Sequence, residues 1–195
     1  ISIKKIKVGI IMKSKSRTSK SITILLMVFI SFFIWLMSEK SSSYSEPSEA
    51  LFAIDQEMVL IPGYKKDDEA LYFFIKDKNY LGATYVKKGL FGWKTGVLTW
   101  GSSDFKASSD NLNGYSGHGE NLIYGLINNG DKRIIKMGEN EAKLLNLEML
   151  PNSTVQEYQL QDMYIWYFES ETALDRGEIK LLNKSTGEQL DSVDN

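Results

Sequence analysis

The sequence predicts a mainly β protein of the α+β class. It begins with an N-terminal transmembrane helix, continues as a short helix plus antiparallel meander, and ends as a small antiparallel β-sandwich-like domain. Three observations lead there. Ser21–Ser38 runs 18 residues without a charge. From Met58 onward, short runs rich in β-branched and aromatic residues alternate with Gly, Pro and Asn turn signals. Residues 101–120 form a polar stretch with four glycines and five serines that divides those runs into two groups. The expected divisions are a basic cytoplasmic tail (1–20), a transmembrane signal anchor (21–38), a polar stalk (39–49), a helix plus β-meander module (50–100), a Gly/Ser-rich loop (101–120) and a β-sandwich-like module (121–195).

The apolar segment would reach roughly 27 Å as a helix, close to the thickness of a bilayer's hydrocarbon core. Its interior polar residues, Thr23 and Ser31, can return their hydroxyls to the helix backbone. Seven bases precede it (Lys4, Lys5, Lys7, Lys13, Lys15, Arg17, Lys20) and Lys40 alone follows closely. The positive-inside rule therefore puts the N-terminus in the cytoplasm and the C-terminal part outside, with Ile22–Met37 in contact with membrane lipid. Signal peptides have a shorter apolar region, about 7–15 residues, and a small-x-small cleavage site. The length favours a retained anchor, and Ser41-Ser42-Ser43 leaves secretion after cleavage near Ser43 as the alternative. Met12, followed by Lys-Ser-Lys-Ser-Arg, looks like a natural start as well as residue 1.

Glu39–Glu49 is polar and Ser-rich, the composition of a stalk. Ser48 is placed to cap a short helix through Ala50, Leu51 and Ile54. Strands are expected at Met58–Ile61, Ala70–Lys76, Gly82–Lys87 and Trp93–Trp100, then at Asn121–Ile127, Lys132–Met137, Ala142–Met149, Val155–Gln159, Met163–Phe168 and Glu178–Leu182. Leu71–Ile75 and Met163–Phe168 are apolar on both faces, which assigns them central places. One sheet continuous with the first meander is the alternative to a separate sandwich.

Several of these segments carry a resemblance: Glu49-Ala50-Leu51, Ala70-Leu71-Tyr72-Phe73-Phe74, Tyr85-Val86-Lys87-Lys88, Gly92-Trp93-Lys94, Ile123-Tyr124-Gly125-Leu126, Trp166-Tyr167-Phe168 and Gly187-Glu188. In this order the chain, over roughly residues 48–190, resembles small exported or signal-anchored proteins of unknown function from low-GC Gram-positive, Bacillus-like bacteria. The resemblance implies a compartment and no chemistry.

Composition narrows the function. Residues 1–40 carry eight Lys/Arg and one acid, whereas the remainder carries 15 bases and 24 acids. An acidic outer part argues against nucleic-acid binding. The absence of cysteine excludes disulfides, thiolate metal sites and thiol catalysis. His118 is the only histidine, and Gly114-Tyr115-Ser116-Gly117-His118 departs from the G-x-S-x-G elbow at its last position. A Ser-His-Asp triad would have to use His118, but in a Gly/Ser loop its expected state is solvated. No P-loop or dinucleotide fingerprint is present.

No cofactor is expected apart from a calcium ion. Ser109, Asn111, Asn113 and Glu120, with Gly114 between, follow the spacing of a calcium loop, in which oxygen ligands at alternate positions wrap the ion and Glu closes it. Ser109 stands where Asp is usual, and no helix is expected on either flank. Lys87, Lys88, Leu90, Phe91, Trp93 and Lys94 form a second candidate. Apolar side chains ringed by bases suit a lipid surface or an anionic wall polymer. The competing reading has Phe91 and Trp93 closing the core while the lysines protect an edge strand. Acids are numerous (Asp67, Asp68, Glu69, Glu169, Glu171, Asp175, Glu178), so a glycosidase-like carboxylate pair depends on which of them the fold brings together. The leading expectation is a non-catalytic, membrane-tethered extracytoplasmic module for binding, sensing or envelope association, with cell-wall polymer or another envelope protein as partner. The alternatives are a cell-envelope hydrolase working through carboxylates and an accessory subunit of a membrane complex.

Overall fold

The apolar N-terminal segment forms helix α1 (Ile6–Ser41) in the computed structural model, which describes residues 6–103, 105, 111–112, 114–174 and 177–194. Within it, Ser21–Ser41 is long and apolar enough to cross a membrane, and none of its residues is buried. The helix continues past Ser38 through Glu39 and Lys40, because serine hydroxyls serve its last carbonyls: Ser41 and Ser42 donate to Ser38 O and Ser43 to Glu39 O.

Tyr44–Asn195 is a second compact unit. It opens with helix α2 (Pro47–Phe52). Here the structure departs from the sequence reading in two ways. The cap is Glu46 rather than Ser48, with Pro47 in the first turn and Glu49 returning its carboxylate to the backbone N–H of Ser45 and Glu46. The stretch expected as a stalk is built in: Tyr44 pairs with Trp93 across two backbone hydrogen bonds, and Pro47 is buried.

The first sheet contains β1 (Val59–Lys65), β2 (Glu69–Lys76), β3 (Tyr80–Lys88), β4 (Trp93–Thr95) and β5 (Thr99–Ser102). They pair antiparallel in the order β1-β2-β3, with β4 and β5 both on β3. The run expected as one strand, Trp93–Trp100, is thus two strands, β4 and β5, and between them the Gly96 N–H donates to Tyr85 O. β6 (Ser116–His118) and β7 (Leu122–Asn128) follow; a 3₁₀ turn at Gly130–Lys132 then leads to β8 (Arg133–Met137), β9 (Asn140–Glu141) and β10 (Lys143–Asn146). Helix α3 (Asn152–Tyr158) precedes β11 (Met163–Glu169), β12 (Glu178–Asn183) and β13 (Gln189–Asp194). The second sheet has the order β10-β11-β7-β6, and the third β13-β12-β8-β9.

Side-chain alternation decides the layering. Ile61, Leu71, Phe73, Ile75 and Leu81 of the first sheet share one core with Leu122, Tyr124, Ile165 and Tyr167 of the second. Residues of the opposite parity in β7 and β11 (Ile123, Ile127, Trp166, Phe168) share another with Ile135, Met137, Ile179 and Leu181 of the third. The second sheet is therefore covered on both faces. The free face of the first sheet receives α2 through Ala50, Leu51, Ala70, Val86 and Trp93. Because the first core joins residues before and after the Gly/Ser-rich loop, the stretches read as separate modules at 50–100 and 121–195 share their apolar interior. Phe105 carries the intervening loop into that interior.

Two glycines permit close approaches. At Gly92, φ is +144°, and a Cβ would fall 2.3 Å from Tyr44 O, on the backbone that pairs with Trp93. At Gly125 a Cβ would meet the Trp166 indole, its cross-strand partner, at 2.8 Å. The expected strand Val155–Gln159 is helix α3 instead. Pro151 starts the turn, Val155 is buried against the first core with Leu160, and Gln159 ends the helix in the left-handed region. β13 was absent from the sequence reading because QLDSVD has mostly polar, exposed side chains.

Candidate functional site

The most chemically dense surface is a groove of about 660 Å³ where β1, β2 and β3 meet the ends of β6 and β11. A bulge creates it. Strict alternation from Ile61 would put residues 63 and 65 on the inner face, but the β1–β2 register shifts between Pro62 and Tyr64. Tyr64 then sits opposite Leu71, on the same face as Ile61, and its ring packs on the inner core. Its phenol oxygen lies 2.9 Å from Glu69 Oε1 and 2.7 Å from Glu169 Oε1. Tyr85 donates a further bond to Glu169 Oε1 at 3.1 Å.

Lysines balance the carboxylates. Lys143 is 3.2 Å from Glu169 Oε2 and Lys87 is 3.5 Å from Glu69 Oε2, while Lys66 lies over the Tyr64 ring at 4.7 Å. Burial, then the hydrogen bonds to Glu169 and Glu69, push the Tyr64 hydroxyl far above its ordinary range, and Tyr85 moves the same way through burial and the charge of Glu169. Both phenols are held protonated, as donors. Tyr64 has one hydrogen to divide between two carboxylates, so the pair is bridged by a proton that belongs to neither.

The arrangement brings together Glu69 and Glu169, two of the acids named from sequence, 100 positions apart in the chain. Tyr64, which joins them, and Tyr85, which bonds to Glu169, carried no sequence signal, since their placement depends on the bulge and on the sheet register. His118 borders the same groove. Its Nδ1 lies 2.8 Å from Thr99 Oγ1, its ring meets Tyr85 edge-on, and burial lowers its pKa. It is half-buried between strands rather than solvated, and its hydrogen-bonding partners are Thr99 and the Ala83 carbonyl, with no carboxylate among them.

Of the calcium-loop residues, Ser109 and Asn113 lie outside the described residues. Asn111 and Glu120 are both exposed. Between Asn111 and Asn113, Leu112 is buried in the second core and its N–H donates to Asp191 Oδ2 at 2.7 Å, which fastens this part of the loop to β13. Among the described residues no three His, Asp or Glu side chains converge as a metal site would need.

The lysine-flanked candidate divides. Trp93 is 3% exposed and closes the cluster under α2, with Lys65 and Lys88 over its ring at 5.6 and 5.7 Å. Leu90 and Phe91 project at the β3–β4 turn, 75% and 40% exposed. Lys87 turns to the carboxylate groove through Glu69, away from Lys88 and the Trp93 side of the sheet. Lys94 stands opposite Lys87 in the β3–β4 register.

Compared with protein-family models, with curated proteins and with solved structures, the chain matches none.

Proposed function

We propose that the chain is a membrane-tethered, extracytoplasmic binding module. Its N-terminus is cytoplasmic, Ser21–Ser41 is a retained anchor, and the groove at Tyr64, Glu69, Tyr85 and Glu169 receives a polar, polyhydroxylated ligand of the cell envelope. The observation that carries the binding reading is the saturation of the groove's carboxylates. Glu169 accepts two phenolic hydrogens and a lysine contact, and Glu69 takes the shared phenol and Lys87. A general acid or nucleophile needs an oxygen turned toward substrate. A set of mutually engaged Tyr, Lys and Glu instead offers fixed donors and acceptors to hydroxyl groups. Retention of the anchor is supported by Ser41–Ser43, whose hydroxyls are folded back onto the helix end rather than presented as an extended cleavage site. We also read the second and third sheets as the leaves of a small sandwich, since Trp166, Phe168, Ile135 and Leu181 fill the space between them.

Envelope polysaccharide fragments titrated against the protein test the groove. Binding without release of reducing ends, weakened at least tenfold by Tyr85→Phe combined with Glu169→Gln, is the expected result. Cleavage that disappears in Glu69→Gln and Glu169→Gln would replace this reading by the hydrolase one, which the bridged carboxylate pair favours. Protease treatment of intact cells tests the tether: the expected product is a short membrane-bound remnant, and a mature chain free in the medium would overturn the anchor.

A further inference from the structure

The exposed large apolar side chains of Tyr44–Asn195 are unevenly placed. Among the described residues there are nine: Phe52, Ile54, Tyr80, Leu90, Phe91, Val97, Trp100, Met149 and Leu190. The first seven belong to the outer face of the first sheet, to the helix end that half covers it, or to the turns joining β3, β4 and β5. Parity fixes the face for two of them. Tyr80 shares its side of β3 with Val86, and Trp100 lies opposite Gly82 on that side. Helix α2 has only six residues, too short to cover an eight- or nine-residue strand pair, so this face keeps an apolar margin.

The charges on the same side follow a pattern. Three of its acids are engaged: Glu46 with Lys65, Asp55 with Lys76, and Glu49 in its own cap. Lys65 and Lys88 flank the Trp93 ring, and Lys76 lies over Trp100 at 6.0 Å. Apolar side chains with aromatic rings and lysines at their edge match the boundary between acyl chains and anionic headgroups. Covalent continuity supplies the second argument. Tyr44, the residue through which the domain continues from α1, packs on this face beside Trp93, and the three residue steps from Ser41 reach at most about 10 Å.

We propose that the outer face of the first sheet, with the Leu90–Phe91 turn, is a second membrane contact that seats the domain on an anionic leaflet. The proposal rests on the reading of α1 as an anchor and adds the face, the depth-bearing residues and the lipid chemistry. The domain then lies on the lipid surface through Phe91, Val97 and Trp100, and its carboxylate groove, on the other face of the same sheet, stays open to solvent.

The absence of cysteine makes the test direct. The full chain carrying one of Ile30→Cys, Phe91→Cys, Val97→Cys, Met149→Cys or Leu190→Cys is labelled with an environment-sensitive fluorophore. Each variant is then reconstituted into phosphatidylglycerol-containing vesicles. Labels at 91 and 97 are expected to be several-fold brighter than those at 149 and 190 and to be quenched by lipid-borne quenchers. Adding Lys65→Glu and Lys88→Glu, the two lysines beside Trp93, should return them to the aqueous signal, as should replacing phosphatidylglycerol by phosphatidylcholine. Lipid exposure at 30 with aqueous signals at 91 and 97 would overturn this proposal and leave the anchor standing; an aqueous signal at 30 would remove the anchor reading itself. Labels at 91 and 97 shielded from both lipid and aqueous quenchers would mean a protein partner covers the face, and would also overturn the proposal.

Discussion

The first and second sheets are made from similar residues and meet different surroundings. β11 and β7 of the second sheet place apolar side chains on both faces, and both faces are closed, by the first sheet on one side and the third on the other. β2 and β3 are nearly as apolar, yet only the inner face of the first sheet is closed by another sheet; the outer one has a single short helix. The difference teaches that an apolar strand reports burial only where a neighbour exists to supply it. Where none does, the same pattern becomes a surface.

The comparison can be broken most forcefully at its buried end. Trp166→Ala, which empties the space between the second and third sheets, should cost about 3–5 kcal/mol in urea unfolding. The loss is tempered because the buried Trp166 Nε1 has no hydrogen-bonding partner among the described residues. Trp93→Ala removes the side chain that closes the smaller cluster under α2, and about 3 kcal/mol is expected; a value as large as that for Trp166 would mean the two faces are equally closed. Tyr64→Phe, at the junction of the two sheets, leaves Glu69 and Glu169 without their shared donor and should cost about 1–2 kcal/mol. Since the folded-state phenol titrates above its unfolded value of about 10, the stability it confers is present below pH 10 and is lost as pH rises beyond it. The variant should therefore show a flatter alkaline limb in thermal melts.

His118 sharpens the comparison more gently. Burial lowers its pKa, so the native state binds fewer protons than the unfolded chain as pH falls through about 6.5, the unfolded value. Stability should decline below that pH and level off once the folded group is protonated. Substituting His118→Gln should remove the decline from a pH series of unfolding midpoints. Smallest of all, Phe91→Ser on the open side should leave the unfolding midpoint within about 0.5 kcal/mol of the parent. A larger loss would place Phe91 in the core.

Much of the strand pattern was legible because runs such as Leu71–Ile75 and Met163–Phe168 are apolar at every position, and both lie inside their sheets. The helix at Ser21–Ser41 was legible from length and the absence of charge. Helix α3 was not: over seven residues its two large apolar positions, Val155 and Tyr158, are too few to set a period, and burial in the first core with Leu160 decided it. β13 was hidden because its pairing with β12 is carried by the backbone and its side chains are polar. For the candidate site, Glu69 and Glu169 were visible only as two acids among many. Their meeting requires the displaced register that brings Tyr64 onto the inner face.

That displaced register has a consequence at the margin of the molecule. β1 is the outermost strand of its sheet, and an outermost strand normally offers a row of amide hydrogens to any other chain that comes alongside. Pro62 has no such hydrogen, and the irregularity that follows it breaks the repeat a newcomer would have to match. The end of the strand adds Lys65, and the turn beyond it Lys66. At this edge, copies of this protein crowded together lack a continuous template for growing into one another, so Pro62, two residues before the groove's key tyrosine, also blunts the strand against fibre formation.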